Sequence, residues 1–300
     1  MRLSDRAPYE AFIDRPRLQL PDGARVAVWF IVNVEEWAVE RPMPRRVLTP
    51  PMGDPLMPDL PNWAWHEYGM RVGFWRLLEA LRRRGLRATF AVNGNVVNSY
   101  PRIAEAALEA GWEFMGHGFV QRPMHQLEDQ PAAIAATVEA IRGFTGTPPR
   151  GWESPGLTET EDTLDHLRAA GIDYVANWPI DDLPSALQTR HGPILQVPYT
   201  LETNDIVVHA VQQLPSDAFM QRCIAQFDQL HLDGASNARV MAISLHPYLT
   251  GVPHRFGYFE KALDHILARP EVAWMTGAEI ADWYRAATGL APAGTSDAGV

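Results

Sequence analysis

Two adjacent carboxylates, Glu35 and Glu36, lie just past the apolar run 25–33, in Asn33-Val-Glu-Glu36. At the end of a buried strand, desolvation and mutual repulsion would raise the pKa of at least one of them towards the general-base range; in an exposed turn both would stay ionised and idle. Two histidines tip the balance towards the first reading. His117 follows Glu113-Phe-Met-Gly116, and His246 lies in Ser244-Leu-His-Pro247, each just past a short apolar stretch. One such imidazole alone could be structural. Two of them with a carboxylate are enough to activate a water and protonate a leaving group.

Other residues extend this constellation. Arg150, in Arg150-Gly-Trp-Glu-Ser-Pro155, either orients a carboxylate and lowers its pKa or simply lies along the surface. Trp152 and Glu153 of the same stretch, with Trp37, are candidate substrate-binding residues. Trp63, Trp65 and Trp178 also fall in segments expected after strands, where indoles can wall an apolar pocket for a flat ring. Asp181 and Asp182, ahead of Leu-Pro, serve either the site or the cap of a turn. His254-Arg255, read as part of a Pro-flanked loop, suits an anionic substrate group.

What these residues share is a place just after a strand. The run 25–33 is apolar, β-branched and aromatic without alternation, as a parallel strand buried on both faces must be. After it come seven prolines within residues 40–65, a stretch expected to be irregular and to form a lid or rim. Beyond it the pattern alternates: helix 71–84, strand 88–92, helix 101–110, strand 112–115, helix 132–144, helix 161–170, strand 173–176, helix 217–230, strand 239–245, helix 258–268, strand 272–275 and helix 278–287. Repeated β/α units in one chain predict an α/β barrel, whose active site lies where the strands end. The residues 289–300 read as a disordered tail.

Composition narrows the function. A chain of 300 residues with 46% hydrophobic positions can bury one large core in a single domain, residues 1–300. Its net charge of -10 lacks the basic footprint of a nucleic-acid or anionic-membrane binder, so neither partner is expected. No apolar run reaches the ~20 residues that span a bilayer. The single Cys223 excludes an internal disulfide, and residues 1–14 show no apolar leader, so a cytoplasmic setting is expected.

Taken in order, Glu35-Glu36, His117, Arg150, Asp181-Asp182 and His246-Pro247 resemble the polysaccharide deacetylase (NodB-homology) family over residues 26–284. That resemblance implies a distorted (β/α)7 TIM-like barrel, with one residue of the acidic pair as catalytic base and the other as metal ligand. Glu35 would then be the base and Glu36 the ligand, or Asn33 would pair with Glu35 after a one-residue shift. The family's second motif carries two histidines one turn apart, which complete a zinc site. Here His117 matches the first, but Gln121 stands at the second, and a neutral amide is a poor zinc ligand beside imidazole. Any metal would be held weakly, by Glu36, His117 and Gln121, and no tightly bound cofactor is expected.

With Glu in place of Asp and Gln in place of His, the chain is similar to the family's metal-independent allantoinase and cyclic imide hydrolase branch. The strings Arg150-Gly-Trp-Glu-Ser-Pro-Gly-Leu-Thr-Glu-Thr and His246-Pro-Tyr-Leu-Thr-Gly-Val-Pro-His-Arg255 carry that similarity. It implies a hydrolase of non-peptide C–N bonds in a small cyclic imide, ureide or amide. The alternatives are a metal-dependent carbohydrate N-deacetylase and a barrel that only binds a ligand. The expected partner is a small-molecule substrate, with homo-oligomerisation left open.

Overall fold

The computed structural model describes residues 2–50, 53 and 56–290. Its axis is β1 (Val26–Val34), all nine residues of which are buried. Val26, Val28, Phe30, Val32 and Val34 pack beneath helices, while Ala27, Trp29 and Ile31 join a second cluster inside the curl of the sheet. Both faces are therefore covered, which is why the sequence shows no polar alternation here.

Around β1 lie β2 (Thr89–Val92), β3 (Glu113–Gly116), β4 (Gly151–Trp152), β5 (Tyr174–Val175), β6 (Ser185–Leu187), β7 (Ile194–Gln196), β8 (Arg239–Leu245) and β9 (Val272–Trp274). The order is β6-β7-β5-β4-β3-β2-β1-β8, and every ladder is parallel except β6 with β7. β8 pairs with β1 from Val26 to Val32. The other edge of β1 is shared end to end, by β9 at Val26–Val28 and by β2 at Ile31–Val34. Among the described residues no strand between β8 and the β6–β7 end completes the circle. Instead, irregular segments reach β8 through Val240 N–H to the Asp182 carbonyl (2.9 Å) and Ser244 N–H to the Thr203 carbonyl (3.0 Å). The result is a curled, distorted barrel in one domain, with the antiparallel β6–β7 hairpin as the piece that alternation did not foresee.

The helices are α1 (Leu3–Arg6), α2 (Leu60–Tyr68), α3 (Phe74–Arg82), α4 (Val96–Ser99), α5 (Pro101–Glu109), α6 (Gln130–Thr145), α7 (Thr163–Ala169), α8 (Ala218–Asp233), α9 (Pro253–Leu267) and α10 (Gly277–Thr288). Two of them correct the sequence reading for one physical reason. α2 begins inside the stretch expected to be irregular, and α9 takes in His254 and Arg255, expected in a loop. Pro61 and Pro253 each sit in the first turn, where a helix does not use the missing N–H, so these prolines start helices rather than break them.

α2 runs through a π turn, Gly69–Gly73, into α3, and this junction packs against the loop that follows β8. A Cβ on Gly73 would lie 2.0 Å from the Pro247 carbonyl oxygen, and one on Gly69 would lie 2.6 Å from the Tyr248 nitrogen. Glycine is thus required here for close approach to the chain beside His246. Gly289, in the left-handed region, ends α10. The remainder of the expected disordered tail, residues 291–300, lies outside the described residues.

Candidate active site

The strand ends do converge, although with a different membership from the one expected. β1 delivers Glu35, β3 delivers His117 and β8 delivers His246. The Glu35 Oε1 lies 3.5 Å from His117 Nε2 and 3.7 Å from His246 Nε2. All three side chains are buried, at 6%, 2% and 4% exposure. Gln121 donates from Nε2 to Glu35 Oε1 (2.7 Å), and Trp37 donates from Nε1 to Oε2 (3.0 Å). A cavity of about 230 Å3 opens above them, walled by Trp37, Pro44, Pro123, Leu157 and Val207 among others.

Both imidazoles are oriented from behind. His117 Nδ1 lies 2.7 Å from the Glu153 carbonyl oxygen, to which it donates, so Nε2 faces Glu35. His246 Nδ1 lies 2.7 Å from Asp205 Oδ1, and its own N–H donates to Asp205 Oδ2 (2.8 Å). Thr250 Oγ1 donates to the same oxygen (2.6 Å). Asp205 is fully buried and holds His246 as a carboxylate holds a catalytic imidazole, fixing its tautomer and favouring its cation. The sequence offered no signal for it: a lone Asp in an irregular stretch, 41 residues before its partner.

These contacts set the charges. Burial alone would raise the pKa of Glu35, but hydrogen bonding by His117 and the charge of His246 outweigh it and bring the value down to about 2. Burial opposes protonation of His117 and His246, yet Glu35 in the first case and Asp205 in the second raise both above the ordinary imidazole value. Glu153, on the same cavity wall, goes the other way: burial raises its pKa against the pull of the two histidines. The expectation of a Glu pair raised by mutual repulsion is overturned, because the two carboxylates do not face each other.

Glu36 turns aside. Its carboxylate accepts from Asn95 Nδ2 (3.0 and 3.1 Å) and Ser99 Oγ (2.9 Å), outside the cavity. The metal set expected from the resemblance therefore does not fit. Glu36 points away, and Gln121 uses its amide oxygen to accept from Asn93 (3.0 Å) while its nitrogen faces Glu35. Among the described residues no group of three or more His, Cys, Asp or Glu side chains is arranged to hold an ion.

Other expected members also sit elsewhere. Arg150 precedes β4, so it lies at the opposite end of the parallel strands and pairs with Asp173 (2.7 Å) and Asp282 (2.6 Å). Trp152 is fully buried in the core, donating to Ser154 Oγ (3.1 Å). Asp181 pairs with Arg15 (2.7 Å) and accepts from the Leu183 N–H (2.9 Å), which makes it a turn cap; Asp182 lies half-exposed 3.7 Å from Arg239. Both border a separate cavity at the open seam of the sheet. His254 and Arg255 lie on the first turn of α9 and do not line the site. Trp37 and Glu153 do line it, as does Arg45, which sequence reasoning passed over.

Comparison with known proteins shows which sequences and folds the chain is similar to. The sequence matches the family described as polysaccharide deacetylase over residues 65–175. A Schizosaccharomyces pombe protein carrying the polysaccharide deacetylase name is 28% identical over 89% of this chain and 92% of its own. A crystal structure described as a probable polysaccharide deacetylase from Pseudomonas aeruginosa superposes with a TM-score of 0.82 at 26% identity, covering 92% of this chain and 96% of the other. The crystal structure of PuuE allantoinase superposes with a TM-score of 0.83 at 24% identity, over 93% and 96% of the two chains, a likeness of fold.

Proposed function

From the premise that the chain carries a polysaccharide deacetylase domain and is a hydrolase of C–N bonds, we propose that it opens a small cyclic imide or ureide, or cleaves a small amide. One observation carries this reading: a Glu35 carboxylate between two imidazole Nε2 atoms, on the floor of a cavity of about 230 Å3 partly walled by the Pro-rich segment. That volume suits one small ring. A polymer would need an open groove, whereas Pro44 and Arg45 of the Pro-rich segment wall this cavity.

The chemistry follows from the charges. Glu35 is ionised and takes the proton of a water that attacks the carbonyl carbon. At a pKa of about 2 it is a weak base in the open site. A neutral ring that fills the cavity displaces all but the attacking water and draws the imidazole N–H groups onto its own oxygen and nitrogen, which raises the basicity of the carboxylate. His117 faces the same space and donates from protonated Nε2 to the oxyanion of the tetrahedral intermediate. His246, kept cationic by Asp205, protonates the departing nitrogen. The C–N bond breaks with that proton transfer, leaving a carboxylic acid and an amine, amide or urea nitrogen. An imide carbonyl is more electrophilic than an acetamide, so it places the smaller demand on this machinery.

A second reading has its own support in the names of the S. pombe and P. aeruginosa relatives: removal of acetyl groups from a polysaccharide, for which an added metal would supply the activation that Glu35 does not. The deciding experiment incubates chelator-dialysed protein with succinimide, hydantoin, a linear ureide and chito-oligosaccharides, alongside metal analysis. Ring opening without added metal is the expected result. Deacetylation of the oligosaccharide, restored only by zinc, would replace this proposal with the second.

A further inference from the structure

Arg45 is the only Arg or Lys side chain on the wall of the active cavity, and it pairs with no carboxylate among the described residues. Its neighbour behaves differently, since Arg46 reaches Asp59 (3.9 Å). Nor is Arg45 carried on a loose strand of chain. Met43, two residues before it, is buried at 3% exposure. Leu48, three residues after it, is clasped on both main-chain groups by Asn62 of α2: its N–H donates to Asn62 Oδ1 (3.0 Å) and its carbonyl accepts from Asn62 Nδ2 (2.9 Å). The segment is thus fixed on either side of the guanidinium.

The charges already in the cavity do not use this cation. Glu35 is matched by His117 and His246, and burial holds Glu153 towards its neutral form. A guanidinium on the wall of a small cavity, with no carboxylate partner among the described residues, is chemistry for a carboxylate, which it binds through two parallel N–H···O bonds. The resting charge of Glu35 would repel such a group at the reacting end. Arg45 is then the group on the cavity wall suited to hold it.

Resting on the reading of the site as a C–N hydrolase, we propose that Arg45 binds a carboxylate arm of the substrate, so that the preferred substrates are small ring imides or ureides bearing one acidic side chain. The anion-binding role that the sequence suggested for Arg255 passes to a residue of the Pro-rich segment.

The test compares hydantoin-5-acetate with hydantoin-5-acetamide, which is close in shape but has a neutral arm, and it follows opening of the ring. In the native protein the acetate should be preferred in kcat/KM and should bind more tightly by calorimetry. Arg45→Gln should lower the acetate-to-acetamide ratio by roughly tenfold or more, chiefly through KM, the usual worth of a charge-assisted hydrogen-bonded pair. Arg45→Lys should keep part of the preference, and Arg46→Gln should leave the ratio in place. A ratio that does not change in Arg45→Gln, or a native protein that binds both compounds equally, would overturn the proposal. If neither ring is opened, the hydrolytic reading fails while calorimetry still decides the role of Arg45: preferential binding of the acetate that disappears in Arg45→Gln supports it.

Discussion

At the scale of single residues, the site is set by which way each side chain leaves its strand. Glu35 and Glu36 are neighbours in sequence, yet one faces the imidazoles and the other accepts hydrogen bonds from Asn95 and Ser99. The adjacency was legible; the direction was not, because it depends on where β1 ends and the chain bends. Asp205 was illegible for another reason. It caps a short π-helical segment, Ile206–Val211, that no period in the sequence announces, and it meets His246 only through the fold. Its effect is measurable. His246 must be protonated to serve as the acid, so activity should fall as pH rises through its elevated pKa. Asp205→Asn removes the charge that raises that pKa, and the alkaline limb of the kcat profile should move to lower pH. A limb that stays in place would show that another group is the acid. In the free protein Glu35 remains ionised down to about pH 2, so it contributes no ionisation near neutrality to the kcat/KM profile.

At the scale of elements, β1 and β8 were plain in the sequence because both faces of each are covered, which leaves mostly apolar runs without polar alternation. Prolines were harder to read. The same residue that breaks a helix inside it is welcome in the first turn, so α2 and α9 began earlier than expected. That shift matters for function, since α2 supplies the Asn62 clasp on Leu48. The glycine contact behind the site tests the packing. Gly73→Ala puts a Cβ 2.0 Å from the Pro247 carbonyl, a backbone atom that cannot swing away. The substitution should destabilise the protein by about 1–3 kcal/mol and lower kcat by displacing His246. Thermal melting and turnover check this together, and an unchanged Tm with unchanged kcat would deny that this contact positions the loop.

At the scale of the whole molecule, one distorted barrel gathers residues from both ends of the chain. Arg6 is fully buried, pairs with Asp165 (2.7 Å), donates to the Gln188 carbonyl (2.9 Å) and also bonds the Glu161 carbonyl, which fixes the N-terminal strap to α7 and the β6–β7 end of the sheet. Arg6→Ala would strand a buried carboxylate and should cost about 3 kcal/mol or more in denaturant unfolding, with little change in KM because the pair lies outside the cavity. The barrel as a class was legible from the repeated β/α alternation. Its open seam was not, because the segments that bridge β8 are irregular and follow no period. What the seam, the strap and the helices finally hold in place is the Glu35 carboxylate between two imidazoles, and the most direct test of the account is turnover of hydantoin by Glu35→Gln beside Glu36→Gln, both after dialysis against chelator. The account predicts that Glu35→Gln falls by roughly 10²-fold or more, the usual worth of a general base, while Glu36→Gln stays close to the native rate. Equal turnover in Glu35→Gln and native protein, or a loss confined to Glu36→Gln, would contradict it.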